Sequence, residues 1–363
     1  MDQAKQPPEA PLPAADPWGF TRRLTIATLS MLLAILTVHV LHQGKPILLP
    51  LFVAVFIGYL LLPAYKWLSK HGVSGILGAV FILVAIVGAL FGLGAMVFNS
   101  LEHVAKKLPD YEKKLETIVN DVVESYTGDT SGEKRFRIRE LPFFKEKGVA
   151  ERTRAAFQAA VGTFLDFFTW AAITFLYLLF LIAEKFTLPR RLSLAFGREQ
   201  GERVMEIVGT INQAISEYIA VKTFISFMAG LLSLAVLWYF NVDFFIMWSI
   251  LIFLFNYIPY LGSWVAVGFP IVLSFLQLGS ERGIWVSGLL IAIQVGLGNF
   301  IEPRLAGRKL GVSPLLILLS LSFWGLLWGI MGMILAVPLL VIIKIVLENI
   351  EETKPLATLM SNL

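Results

Sequence analysis

Long apolar runs separated by short polar breaks dominate this chain. A bilayer core about 30 Å thick needs ~20 mostly apolar residues per spanning helix. Runs of that kind at about 24–41, 47–67, 74–98, 157–183, 217–240 and 284–301 predict six membrane spans. Two further apolar stretches, 244–278 and 314–346, are interrupted near their middles. The first breaks at Asn256-Tyr257-Ile258-Pro259-Tyr260-Leu261-Gly262-Ser263, the second around Gly325-Leu326-Leu327-Trp328-Gly329-Ile330-Met331-Gly332. The arms of the first are only about 13–15 residues long, too short for a comfortable span. Both stretches therefore predict a helix–break–helix hairpin. Residues Val204, Val208, Ile211, Ile215 and Tyr218 share one helical face and predict an amphipathic element at the cytoplasmic interface before span five.

Between 99 and 155 the apolar runs stop. Leu101, Val104, Leu108, Tyr111, Leu115, Ile118 and Val122 recur in steps of three and four, a heptad seam that Pro109 should kink. The seam can pack within its own insert, pair between subunits or lie on the lipid surface. This insert holds 12 basic and 11 acidic residues, so charge does not place it, and counting spans makes it extracytoplasmic. Gly88 and Gly92, four apart in span three, either allow close helix approach or are simply tolerated.

Charge sets sidedness, because short cytoplasmic loops carry excess Lys and Arg. Arg22 and Arg23 before span one, Lys185, Arg190, Arg191, Arg198 and Arg203 after span four, and Arg304, Arg308 and Lys309 after span six all read as inside. Both ends of 244–278 then lie outside, and 314–346 enters from inside. The second half reads as a helix plus hairpin repeated with opposite orientation, the pattern that points to a transport site. The predicted fold class is all-α integral membrane: a polytopic helical bundle with two opposed helical hairpins and an extracytoplasmic helical insert. Its divisions are a Pro- and Ala-rich disordered tail at 1–20, spans one to three at 21–98, the insert at 99–155, span four and its loop at 156–198, and a transport core at 199–363. The first span is expected to be uncleaved, with both termini cytoplasmic.

Composition agrees and narrows the chemistry. The chain has 363 residues, 57% hydrophobic and only 15% charged, against roughly 45–50% and 25% in soluble domains. The net charge of +4 sits in span-flanking loops, so no nucleic-acid partner is expected. There is no cysteine, and none of His39, His42, His71 and His103 forms an HExxH pair, so no metal and no cofactor are expected. Walker A, GxSxG and paired intramembrane aspartate motifs are missing. An enzyme is not expected, and transport without a nucleotide site is secondary or passive.

The blocks Asn256–Ser263, Asn299-Phe300-Ile301-Glu302-Pro303-Arg304-Leu305-x-Gly307, Leu310-Gly311-Val312-Ser313-Pro314 and Gly329–Pro338 resemble the autoinducer-2 exporter family of bacterial inner-membrane permeases, over roughly residues 24–348. The resemblance implies a homo-oligomer, a pentamer whose subunits transport independently, with two hairpins at the substrate site and an elevator-like motion. It implies export of a small furanone-type signalling molecule or, as the alternative, sodium–proton antiport. An ion channel and a membrane scaffold are the readings from other classes.

Asn256, Tyr260 and Ser263 stand at or near a broken helix tip, where irregular backbone at membrane depth needs protein or a watery cavity around it. They are candidate solute ligands, or caps for the freed backbone groups. Gln294 and Asn299 on span six are further candidates, with interhelical hydrogen bonding as the alternative. Glu302 and Arg304 are expected to form a gate or a structural pair at the inner end of span six. Pro259, Gly262, Gly329 and Gly332 are expected to shape the two tips. Asp166 in span four is a candidate coupling-ion ligand, as intramembrane acids are by default. Lys222 and Lys344 are expected to snorkel to the inner interface.

Overall fold

The computed structural model describes residues 19–71, 169–181, 184, 187–306 and 311–361, with scattered positions between 78 and 120. Residues 1–48 and 49–363 form two compact units. The first consists of α1 (Gly19–Gln43) and the start of α2 (Lys45–Lys70). Leu24–Gln43 is long and apolar enough to cross a membrane, with none of its window buried in the protein. Thr25, Thr28 and Thr37 each donate their hydroxyl to the carbonyl four residues back, which satisfies them without water.

The second unit is all helical among the described residues, apart from an isolated bridge between Val312 and Ser361. It contains the rest of α2, α3 (Thr169–Leu181), α4 (Leu188–Phe196), α5 (Arg198–Tyr239), α6 (Phe245–Phe255), α7 (Leu261–Leu278) and α8 (Ser280–Val295). A π-helical turn, Gly296–Ile301, joins α8 to α9 (Glu302–Ala306). Then follow α10 (Pro314–Trp328), α11 (Ile330–Glu348), a 3-10 turn at Glu351–Thr353 and α12 (Lys354–Met360). Among the described residues five helices are long and apolar enough to span: Leu24–Gln43, Arg198–Tyr239, Leu261–Leu278, Ser280–Leu305 and Ile330–Glu348. The chain is thus an all-α polytopic membrane protein.

The 42-residue α5 organises this unit. Its buried stripe, Ile215, Ile219, Lys222, Ser226, Ala229, Ser233 and Leu237, recurs in steps of three and four. That period keeps one face of a helix against its neighbours. The amphipathic stretch at 204–218 lies in the first half of this helix and runs on without a break into the apolar part. Ile207, Ile211, Ala214 and Tyr218 pack on Val312, Val337, Leu340, Val341 and Ile345, while Val204 is exposed.

Each interrupted stretch is a helix, a break and a helix whose arms lie together. In the first, Ser263 bonds Asn256 and Trp248 stacks on Phe269 at 5.8 Å, so the arms run antiparallel. In the second, Ser320 donates to the Ala336 carbonyl at 2.9 Å, and a Cβ on Gly325 would meet the Met333 side chain. Gly329, at φ +70, forms that junction alone. The outer ends of the first pair meet at the C-terminus of α5, where Gln277 accepts from the Asp243 N–H and donates to the Asn241 carbonyl. The outer ends of the second pair meet beside Ile207 and Ile211, nearer the N-terminus of α5. The two closures lie about 30 residues apart on one helix, roughly 45 Å at 1.5 Å per residue.

Asp243 is also where Lys107 and Tyr111 make contact. Lys107 bonds its carboxylate at 2.7 Å, and Tyr111 donates to the same oxygen. The Lys107 ammonium also lies 5.8 Å from the centre of the Phe244 ring. Of the heptad seam only Tyr111 is among the described residues, and Leu101, Val104, Leu108, Leu115, Ile118 and Val122 lie outside them. Burial raises the Asp243 pKa, but the hydrogen bonds from Lys107 and Tyr111, together with the Lys107 and Lys114 charges, outweigh it and hold it below the usual carboxylate range. A carboxyl depressed in the folded state stabilises above its unfolded pKa of about 3.9, and that stabilisation is lost as pH falls through the folded value. Asp243→Asn should therefore speed amide hydrogen exchange around 107–111 at neutral pH. Acidifying the wild type below about pH 4 should lower the protection factors there, the slower intrinsic exchange in acid being divided out, while those of the α10–α11 amides stay unchanged in both cases.

Candidate functional site

The apolar interior holds a seam of polar groups between α5, the α6–α7 break and the α8–α9 segment. Its upper part is a chain of three residues. Buried Asn256 donates from its amide nitrogen to Ser226 on α5 at 3.0 Å and accepts from Ser263 on α7 at 2.8 Å. One side chain thus ties the broken tip to both neighbours and satisfies itself. One turn away on α5, the Tyr257 hydroxyl donates to Thr223 at 2.9 Å, and Thr223 donates to the Ile219 carbonyl.

The break has local causes. Pro259 lacks an N–H, and the Tyr260 backbone sits at φ +62, uncommon for a residue with a side chain. Gly262 then lets α7 start against α6: a Cβ there would lie 1.9 Å from the Phe255 carbonyl oxygen. Gly332 plays the same part in the second pair, with a Cβ placed 2.0 Å from the Trp324 carbonyl oxygen.

The lower part of the seam is an ion pair. The Lys222 ammonium lies 2.7 Å from Glu302 Oε1, with the lysine side chain 5% and the glutamate 26% exposed. This corrects two expectations. Lys222 does not snorkel, because α5 continues as a protein-packed helix on both sides of it. Glu302 does not pair with Arg304, because residues two apart on a helix do not face each other; Arg304 is exposed. Lys344 is paired with Glu348 at 3.3 Å.

The π-turn explains why Glu302 can reach Lys222. Val286, Leu290, Gln294 and Leu297 form the buried stripe of the α8 segment. Continued at α-helical pitch, the stripe would next present Ile301. Winding with i→i+5 bonds adds a residue to the turn, so Glu302 takes that direction and Ile301 is exposed. Gln294 belongs to the same stripe. It is buried, and its amide nitrogen makes no hydrogen bond. The buried Tyr218 hydroxyl also lacks a partner and lies within electrostatic range of Glu302 and Tyr257.

The structure therefore brings Asn256 and Ser263 into contact and buries Gln294, while Tyr260 and Asn299 are exposed. Asp166 lies outside the described residues. Sequence reasoning missed Lys222, Tyr218, Thr223, Ser226 and Tyr257 as members of one seam. The recoverable signal was the step of three and four through 215, 219, 222, 226, 229 and 233, which puts Lys222 on the buried face of α5. A cleft of about 400 Å³ also opens between α4 and α5, lined by Arg190, Ser193 and Glu202. It faces solvent between exposed charged side chains, so the seam is the stronger candidate.

A family model described as AI-2E family transporter matches residues 27–352. A Borreliella burgdorferi protein named for transport without a substrate is 31% identical over 309 residues, 84% of this chain and 82% of that protein. The AI-2 transport protein TqsA of Escherichia coli K12 is 29% identical over 323 residues, 87% of this chain and 90% of its own. A sodium-lithium/proton antiporter of Halobacillus andaensis is 25% identical over 336 residues, 86% of this chain and 92% of its own.

Proposed function

The chain belongs to the AI-2E transporter family and is a secondary membrane transporter of a small solute, and from that premise we propose how it works. The solute is small and polar, of the AI-2 kind that TqsA is named for. It binds between the two hairpin tips, near Asn256, Tyr260, Ser263, Gln294 and Asn299, and is exported. The hairpins enter the membrane from opposite faces, the first from outside and the second from inside, with both termini cytoplasmic. What supports this is that their outer ends contact opposite regions of α5. The transport core moves as an elevator within a homo-pentamer in a bacterial inner membrane.

The observation that carries the reading is Gln294. A buried amide N–H without an acceptor costs about 1–3 kcal/mol, and in hydrocarbon more. A site that bears this cost without solute recovers it when a polar solute supplies the acceptor. The test is flux through protein reconstituted in liposomes, with AI-2 as the probe. Gln294→Leu should assemble with unchanged or slightly higher thermal stability, because it removes the orphaned group, yet lower AI-2 flux at least tenfold. Equal flux in the two proteins would move the site elsewhere. The second reading, sodium–proton antiport, is favoured by the buried Lys222–Glu302 pair and the Halobacillus andaensis relative. A trapped pH dye responding to a sodium pulse, without AI-2 flux, would select it.

A further inference from the structure

We infer that Glu302 is a proton-binding site of the transporter, with the Lys222 ammonium as the internal cation that competes with the proton for its carboxylate. The inference rests on the transport reading above and adds the coupling group to it.

The pair is a poor structural device. Removing two charges from water costs several kcal/mol per ion after relaxation, and well-packed apolar residues of similar volume often do as well or better. In a membrane protein such groups mark ion and proton pathways by default. The exposures are unequal: Lys222 is sealed at 5% while Glu302 keeps 26%. The carboxylate is thus the accessible partner and the ammonium the enclosed one. The two partners also sit on different elements, one on α5 and the other just past a π-turn, a form of bulge frequent at functional sites. The buried Tyr218 hydroxyl beside them has no partner, so a lysine released by Glu302 has an acceptor at hand.

The step balances simply. A proton from water adds to the Glu302 carboxylate and forms an O–H bond. The net charge of the pair goes from zero to plus one, and Lys222 keeps its three N–H bonds. The link between α5 and α9 then falls from an ion pair to a hydrogen bond in which only the ammonium is charged. Loss of the proton restores it. Gln294 lies on the same stripe, two turns away, so protonation and solute binding act on one segment. Among the described residues, Tyr218 on α5 is within electrostatic range of Glu302 and of Tyr257 at the break. Arg304 is exposed, and Lys344 on α11 is held by Glu348.

Infrared difference spectra of the full-length protein in lipid nanodiscs, stepped from about pH 9 to about pH 4, read the site without any solute. The wild type should gain a protonated-carboxyl band that is missing in Glu302→Gln, which keeps the size and the hydrogen bond. The same band should appear at higher pH in Lys222→Met, where the competing cation is gone. Native mass and elution position check that each variant is assembled, and Lys222→Met/Glu302→Gln, which carries no buried charge, serves if either single variant fails. A carboxyl band unchanged by Glu302→Gln, or by the double variant in that case, overturns the assignment. In parallel, liposomes holding a trapped pH dye receive a sodium chloride pulse or AI-2. A Glu302-dependent band with no proton or AI-2 movement sinks the transporter reading and leaves the proton site. Movement with no Glu302-dependent band sinks the proton site alone.

Discussion

Gly262→Ala is expected to leave no assembled protein, while Gly92→Ala changes stability by less than about 0.5 kcal/mol. At Gly262 a methyl carbon would stand 1.9 Å from the Phe255 carbonyl oxygen and 2.8 Å from the Ile258 Cβ. Neither neighbour is the flexible end of a long side chain: one is helix backbone, the other a branched carbon at the break. The arms must separate by more than an ångström to admit it, which breaks the Ser263–Asn256–Ser226 chain a few atoms away. Overpacking alone costs about 1–3 kcal/mol, and losing that buried network adds to it, so the total should exceed about 4 kcal/mol. Gly332→Ala should behave alike, since its methyl would lie 2.0 Å from the Trp324 carbonyl oxygen. Gly88 and Gly92 have nothing within 4 Å of a modest Cβ, so they are matched controls. The readout is the fraction of detergent-extracted protein eluting as one symmetric species. A normal yield of Gly262→Ala would show that the tip of the first pair is looser than described.

The next largest effect is expected at the ion pair. Glu302→Ala strands the buried Lys222 ammonium, and breaking a buried pair by removing one partner costs about 3–5 kcal/mol. Lys222→Met/Glu302→Leu removes both charges and fills the space with apolar groups, so it should recover most of that loss. Heating each variant in mild detergent and measuring the surviving folded fraction gives the comparison. A double variant as unstable as Glu302→Ala would mean that the pair positions α9 by geometry and not by charge. Transport is a separate readout: the double variant should be stable and inactive.

The membrane class was legible because it depends on run length, which a single sequence carries in full. The break at Asn256–Ser263 was legible too, since Pro259 and Gly262 act on the backbone within a few residues. Three things were not. The continuity of α5 from Arg198 to Tyr239 was hidden because its first half is amphipathic, and amphipathicity looks the same whether protein or headgroups cover the face. The Lys222–Glu302 pair joins positions 80 apart, beyond any local rule, and a lone lysine near the end of an apolar run invites a snorkelling reading. The π-turn shifts the register after Leu297, and periodicity at 3.6 residues cannot register a single extra residue. Asn256 shows the same limit from the other side: the polar type at the break was evident, but its bonds to Ser226 and Ser263 make it a cross-link as well as a candidate ligand. Gln294, whose amide nitrogen lacks a partner, is therefore the cleaner site to test.

Sidedness of single cysteines tests the opposed-hairpin arrangement most directly, and the chain offers a cysteine-free background. Tyr239→Cys and Glu281→Cys flank the first broken stretch, and Arg304→Cys lies beyond α8; all three positions are exposed. With a membrane-impermeant thiol reagent on intact cells, the first two should label from outside, and Arg304→Cys only after the inner face is opened. Labelling of Tyr239→Cys and Glu281→Cys from opposite faces would mean that 245–278 crosses the membrane once, and the opposed-hairpin account would be wrong.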